Sequence, residues 1–497
     1  MPIDPSKPKT PRSRLAIKLA LAVMLGAILL LTTGCSESPE LAEYRKDLAA
    51  AEQGDAAAQM ALALRYRDQV GVGQDLERAA YWLKRAAEQG LDQAQLALGV
   101  AYLLGEGVAE DLDLAHGWMR RAAEQGLANA QYLMGVALLD ESPAQNLVEA
   151  WTWFKLAAAQ EHAAARYNLG AMHAHGMGTA PDQERALYWF RLAAEQGWSD
   201  AQNNLGVAYE SGNGVPLDHE QAVAWYRLAA EGGGALGQLN LGRMYRKGLG
   251  VAQDYGKALY WFRLAAAQDL PDAYHELGRM YRRGLGVRRD PDESLRLFRL
   301  AADAGHIPAL AQLGALFAVG EGVPVDHDQA FRLLRQAASQ GDRAAQYNLG
   351  VMYAEGLGIP RNDRLALRFY RQSAAQAYPD AQQILGAWYT SGRAVTRDPA
   401  EAVCWFRLAA NQGHAPALNS LGAMVETGRG VSRDPVLALA LYLLAEAAGS
   451  DYGTQNRAAI EPELTAEQLA QAQRFAQAWS AGDPFPLALQ APACRGL

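Results

Sequence analysis

The sequence predicts an all-α protein, an α/α solenoid of about eleven 36-residue helix-turn-helix repeats. Three observations predict it. A Leu-Gly or Met-Gly pair recurs, its glycine falling at Gly99, Gly135, Gly170, Gly206, Gly242, Gly278, Gly314, Gly350, Gly386 and Gly422. The interval is 36 residues at every step but one, which is 35, and Ala63 holds the same place one step earlier. Each copy also splits into two stretches of helical periodicity, and Gly and Asp punctuate those stretches at fixed offsets.

The first segment is not part of the array. Lys7, Lys9, Arg12, Arg14 and Lys18 precede the apolar run from Leu19 to Leu31, the order of a secretory signal. The run is short for a membrane-spanning helix. It ends in "LTTGCS", which resembles the lipobox of bacterial lipoproteins, although Thr32 stands where Leu is commonest. The resemblance implies cleavage before Cys35, lipid attachment to Cys35, and firm anchoring through several acyl chains. Residues 1–34 then form the signal peptide and 35–40 a short tether. The chain has a net charge of -8, and the leader holds five of its 46 basic side chains but one of its 54 acidic ones. Such an acidic chain is not built for general nucleic-acid binding. Three cysteines, Cys35, Cys404 and Cys494, make neither a disulfide framework nor a metal cluster.

The repeat region runs over 41–449 and opens with half a copy, because "AAEQG" at Ala50–Gly54 returns at Ala86–Gly90. In the copy around Gly206, Ala201, Leu205, Gly206 and Tyr209 share one face of a first helix. Gly212 and Gly214 stop it, since glycine accepts left-handed backbone. Asp218 is the expected N-cap of the second helix. Ala222, Trp225, Tyr226 and Ala229 face one way, and Gly232 or Gly233 ends the unit. The Asp and Trp positions recur along the chain, from Asp111 to Asp434 and from Trp82 to Trp405. Small residues at fixed places let helices approach, and large aromatics fill what remains. A lone helix pair cannot bury both faces; stacked pairs can. One copy departs: "MGVALLDESPAQNLVEAW" is a residue short and lacks Gly-x-Gly, so its geometry is expected to differ near 138–148. Residues 450–479 read as a capping region, with Thr465 and Gln468 forming a capping box, and the Pro-rich tail 480–497 as disordered.

The pattern A-x-x-x-L-G-x-x-Y-x-x-G-x-G-V-x-x-D-x-x-x-A-x-x-W-x-x-x-A-A-x-Q-G resembles the Sel-like repeat (SLR) family, relatives of tetratricopeptide repeats. The resemblance covers about Ala50 to Gly449. It implies a right-handed superhelix and a non-catalytic protein-interaction scaffold, commonly in bacterial envelope assembly or signalling. No cofactor is expected. The sequence holds no phosphate loop, nucleophile elbow or zinc-protease helix. His173 and His175 in "HAHG" are the nearest approach to a metal pair, but His173 occupies a column filled elsewhere by Tyr102, Tyr209, Tyr245 and Tyr353, so packing is expected. His219 and His327 sit in matching places beside Asp218 and Asp326 and read as capping or surface residues. An Arg column (Arg191, Arg227, Arg263, Arg371 among others) reads as structural, favoured by the helix C-terminal dipole. An Asn column (Asn168, Asn204, Asn240, Asn348) reads as hydrogen bonding within or between repeats.

One feature is not required by the repeat. "LGRMYRKGLGV" and "LGRMYRRGLGV" place Arg243, Arg246 and Lys247, then Arg279, Arg282 and Arg283, on the first-helix face opposite the packed Leu, Gly and Tyr. Other copies have Val207, Glu210 and Ser211, or Val351, Ala354 and Glu355, there. The two triplets are candidate partner-binding residues for an anionic segment of an envelope protein or peptide. The plainer reading is a solvated face neutralised by Asp290, Asp292 and Glu293. The expected place of action is the outer membrane of a Gram-negative bacterium, facing the periplasm. A binder of peptidoglycan or an anionic polysaccharide is the alternative function, with Trp198 and Trp388 as candidate platforms. A cell-wall hydrolase ranks third.

Overall fold

A computed structural model describes residues 39–140, 144–482 and Cys494. The signal segment and Cys35 lie outside them, as does the tail beyond residue 482 apart from Cys494. The described residues form helices joined by short turns, and no strand occurs among them. They divide into two compact units, one ending at Trp261 and the other beginning at Phe262.

Each repeat is a helix pair. In the unit ending at Trp261, first helices such as Ala163–His175, Ser199–Ser211 and Ala235–Lys247 alternate with second helices such as Gln183–Glu195 and His219–Glu231. In the other unit, first helices Pro271–Arg283, Ile307–Val319, Arg343–Glu355, Pro379–Ser391 and Ala415–Thr427 alternate with second helices Pro291–Asp303, His327–Ser339, Asp363–Ala375, Pro399–Ala410 and Pro435–Ala447. The helix Pro39–Glu52 packs before the first full repeat and supplies the leading half copy. The irregular copy has an unusually long second helix, Ala144–Ala159, of 16 residues where most have 13.

The ends of these helices follow from single residues. Asp218 accepts hydrogen bonds from the backbone N–H groups of Glu220 and Gln221, and Asp182, Asp290, Asp326 and Asp434 cap their helices in the same way. These contacts satisfy donors that the helix leaves unpaired. Gly212 ends its first helix at φ 70°, and Gly233, not Gly232, carries the positive φ after the second helix. The second glycine of Gly-x-Gly has a further reason to be glycine. At Gly250 (φ +62°) any Cβ would run into the backbone carbonyl of His219, so the loop of one repeat rests directly on the start of the preceding second helix.

The core is built on the Leu-Gly glycine. A methyl group on Gly206 would lie 2.5 Å from the Tyr226 ring; on Gly350, 2.5 Å from Tyr370; on Gly386, 2.5 Å from Phe406. The residue that covers the glycine is therefore the one after the Trp column. Tyr226 is fully buried, whereas Trp189 and Trp225 are only half-buried at the outer edge. Tyr226 donates its hydroxyl to Glu210 at 2.7 Å, which satisfies the one polar atom it takes into the core.

Two polar columns join successive repeats. Buried Gln202 and Gln238 donate to the carbonyls of Ala194 and Ala230, eight residues back, at the end of the preceding second helix. Those carbonyls belong to the last turn, beyond the regular helical ladder, and also accept from the N–H groups of Gly197 and Gly233. The Arg column works across the same joint: Arg191 and Arg227 reach the hydroxyls of Tyr209 and Tyr245, and Arg371 reaches Tyr389 at 2.9 Å. These arginines thus have a structural partner in the tyrosine of the next repeat. In the Asn column, Asn240 donates to Asn203 at 2.9 Å, while Asn168 and Asn204 bond to Tyr132 and Tyr167.

At the far end the outer side of the last two second helices is covered. Helix Ala466–Ala478 starts with the Thr465–Gln468 capping box and packs on Pro435–Ala447. Cys404 and Cys494 are both buried and joined by a disulfide that closes a 90-residue separation. Under this cover Trp405 is fully buried, unlike Trp189 or Trp225.

Two outcomes follow for stability. Gly206→Leu forces a branched side chain into the Tyr226 ring and should cost roughly 1–3 kcal/mol or more, seen as a lowered thermal midpoint; an unchanged melt would refute the packing. Cys404→Ser removes the cross-link and should cost roughly 4–5 kcal/mol by the chain-entropy relation for a loop of this size. Thiol reductant should lower the melting of the wild type and leave Cys404→Ser unaffected.

Candidate functional site

The side of the array that can accept a ligand is set by which helices touch. First helices of neighbouring repeats contact each other within each unit, as in the Asn240–Asn203 bond and the 3.0 Å bond from Gln383 to Ser420. Their outward residues form a continuous strip inside each unit, and these are the positions the packing leaves free to vary.

In the unit ending at Trp261, a cavity of about 240 Å³ opens between Ala163–His175 and Ser199–Ser211, with Leu187 and Phe190 at its base and Asn204, Ser211 and His175 at its edge. The first basic triplet is further along this unit. Tyr245 is buried on the packed side, while Arg243 and Arg246 are half-buried and Lys247 exposed. Lys247 lies 3.8 Å from Glu210, and Arg243 donates to Asn240.

The second triplet lies in the other unit and converges on a cavity. Arg279, Arg282 and Arg283 line a space of about 220 Å³ together with His275. Pro308 and Ala311 of the next first helix, and Ala344 of the one after, supply its apolar wall. The arginines are not equivalent. Arg282 is held at 2.8 Å by Glu321 and donates to Gln312 at 3.1 Å; Glu321 also takes Arg289 at 3.0 Å. These two cations hold the Glu321 carboxyl below the usual carboxylate range. Arg279 lies 3.6 Å from Glu276 on its own helix, and Arg283 is exposed. Neutralisation thus comes from Glu210, Glu276 and Glu321. Asp290 is instead occupied as an N-cap, Glu293 pairs with Arg296 at 2.7 Å, and Asp292 is exposed.

His275 is the neutral member of the group. Burial, reinforced by the adjacent His306, pushes its pKa down to about 4; its ring lies 4.8 Å from that of His306. Glu276 and Asp272 oppose this shift and Arg279 adds to it. His306 caps its helix by accepting from Ala309 N–H through Nδ1.

The other candidates resolve into structure. His173 is buried and meets the Trp151 ring edge-on at 6.4 Å, whereas His175 is exposed. Among the described residues no His, Cys, Asp or Glu cluster could hold a metal ion. His219 and His327 begin second helices behind their Asp caps, against Gly250 and Gly358 of the following repeats. Trp388 is buried against Tyr370 and Arg393, so it offers no platform; Trp198 is 36 % exposed beside Tyr167. The Gln column and the cysteine pair were not identified from sequence. The Ala-Gln that recurs in first helices, as at Ala58-Gln59, Ala94-Gln95, Ala201-Gln202 and Ala345-Gln346, is a usable signal for the former.

A family model of the Sel1 repeat matches eleven consecutive segments, from 56–91 to 415–450. The chain belongs to the Sel1-repeat family. Among solved structures, it is similar to c5321, a protective antigen of uropathogenic Escherichia coli strains with an SLR fold. The two are 35 % identical with a TM-score of 0.65, covering 87 % of this chain and 93 % of that one. A Sel1 repeat protein from Oxalobacter formigenes is 32 % identical over 49 % of this chain and 96 % of its own, with a TM-score of 0.46. Comparison with curated proteins gave no match. Sel1-repeat solenoids typically serve as protein-interaction scaffolds.

Because the folded-state pKa of His275 lies below its unfolded value near 6.5, its stabilising contribution is complete above pH 6.5 and is lost as pH falls through about 4. The melting temperature should fall over that window, and His275→Gln should flatten part of the fall. An identical pH profile for the variant would contradict the burial of a neutral His275.

Proposed function

We propose that the chain is an exported, lipid-anchored, non-catalytic scaffold of the bacterial cell envelope that holds a protein or peptide along its first-helix face. The observation that carries this reading is the division of labour in each repeat. Columns of Gly, Gln, Arg and Tyr hold the stack, while first-helix surface positions change from copy to copy without a structural demand. A surface free to vary on a rigid frame is suited to recognition.

Several observations support the location. The basic-then-apolar leader and Cys35 have the order of a lipoprotein signal. The Cys404–Cys494 bond belongs in an oxidising compartment such as the periplasm. Among the described residues no helix is long and apolar enough to cross a membrane; lipidation of Cys35 is the proposed means of attachment, and an uncleaved anchor through Leu19 to Leu31 with an incidental Cys35 is the alternative. The similar E. coli chain is described as a protective antigen, which agrees with export. Ser36, following Cys35, fits sorting to the outer membrane facing the periplasm.

An anionic segment is the favoured partner chemistry, and both basic triplets are candidates for holding it. A second reading, binding of peptidoglycan or another polysaccharide, draws support from Tyr81, Tyr188 and Tyr260. These are more than half exposed on second helices, each edge-on to the Trp that follows it.

Cys35→Ala should leave the chain unprocessed or shift it to the soluble fraction. Normal processing and sedimentation of that variant would refute the lipid anchor. Cross-linking and pull-down from native membranes should recover a defined envelope protein with the wild type; recovery of murein fragments alone would favour the polysaccharide reading.

A further inference from the structure

We infer that the cavity beside Arg279 and Arg283 is a carboxylate-binding subsite for an acidic peptide segment. The inference rests on the scaffold reading and narrows it to one place on the first-helix face and one ligand group.

The roles of the arginines differ. Arg282 is spent on Glu321 and Gln312, two contacts that fix the wall of the cavity. Arg279 and Arg283 are four residues apart on Pro271–Arg283, so their side chains leave the same helix face one turn apart. Arg279 is 34 % exposed in its side chain and 3.6 Å from Glu276, a loose contact that leaves donors available. Arg283 stands exposed at the rim. Two guanidinium groups over a partly enclosed space can engage the two oxygens of a carboxylate, and planar paired donors are what such a group requires.

Two carboxylates face these cations, Glu276 beside Arg279 and Asp342 in the lining, so the exposed Arg283 is the cation most open to a ligand. Asp342 is turned to its own backbone, accepting from Ala345 N–H at 2.7 Å as the cap of the helix Arg343–Glu355. Burial and His306 keep His275 uncharged at neutral pH, so it offers a ring wall and leaves anion binding to the arginines.

The lining selects the ligand class. Pro308, Ala311 and Ala344 leave a pocket of about 220 Å³ with a small apolar wall, enough for the end of one amino-acid side chain or a chain terminus. No Tyr or Trp lines it, and a sugar ring would want an aromatic face. The fold does not demand this arrangement. The places of Arg279 and Arg283 hold Val207 and Ser211, or Val351 and Glu355, in other repeats.

The test uses the full chain in detergent and fluorescein-labelled hexaglutamate at low salt, read by anisotropy. Wild type should bind hexaglutamate and not hexaglutamine. Arg283→Glu, at an exposed position that leaves helicity intact, should weaken binding at least tenfold, and Arg279→Gln with Arg283→Gln should do the same. Arg243→Gln with Lys247→Gln should change it less than threefold. Added salt should weaken binding, because a partly exposed ion pair is screened. Inorganic phosphate and alginate should compete only weakly. Equal binding of hexaglutamine, indifference to both arginine variants, or displacement of hexaglutamate by alginate at lower concentration than by free glutamate peptide would overturn the subsite. Failure of hexaglutamate to bind would also overturn it while leaving the membrane pull-down as the independent test of the scaffold.

Discussion

The contact between the Leu-Gly or Met-Gly glycine of a first helix and a large side chain of the following second helix sets the geometry of the repeat. It brings the two helices close enough that no Cβ fits between them, as at Gly206 and Tyr226 or Gly278 and Phe298. The covering residue varies among Met119, Phe154, Tyr226, Leu334 and Phe406, so size at that place matters more than chemistry. The close approach then fixes where the second helix ends, and hence where the next repeat's Gln can reach its terminal carbonyls. Packing within a repeat thereby positions the polar joint between repeats. A chain built this way stores its core in neighbour contacts, which is why terminal units need separate covers. The helix Pro39–Glu52 serves one end, and Ala466–Ala478 with the cysteine cross-link serves the other.

Much of this was readable in the sequence because a repeat samples each position eleven times. The Asp caps, the glycine stops and the two-helix unit all emerge from columns, since capping and left-handed backbone are satisfied by few residue types. What a column does is harder to read than that it exists. Arg227 sits near a helix end, where the dipole offers a sufficient reason; that it also reaches Tyr245, 18 residues on in another helix, is not visible in the column. Trp225 is larger than Tyr226 and looked equally suited to the core, yet rotation about the helix leaves it at the edge. Trp388 lies outside the Trp column and reads as free, whereas its first helix turns it inward against Tyr370.

The cysteines show the opposite limit. A single pair separated by 90 residues has no spacing signature, and repeat logic is silent about a tail outside the repeat. The one hint was local: Cys404 replaces, just before the Trp column, the Tyr188 or Arg296 that stands exposed in other copies. The basic triplets were legible as unneeded charge, because sequence periodicity put them away from the packed face. Their inequality was not, since Glu321 reaches Arg282 from 39 residues away. Only three dimensions separate an arginine committed to its neighbour from one available to a ligand.

If each repeat is the next one's core, register rather than length governs folding. Removing residues 343–378, one whole repeat, would place Asp342 before Pro379, keeping an N-cap ahead of a first helix that already begins with proline. Removing only 343–360 would fuse a first-helix position to a second-helix one. The decisive measurement is the helicity per residue and thermal cooperativity of these two deletions against wild type. The account predicts that the 36-residue deletion retains wild-type helicity per residue and a cooperative melt while the 18-residue deletion loses them. Equal damage from both, or tolerance of both, would contradict it.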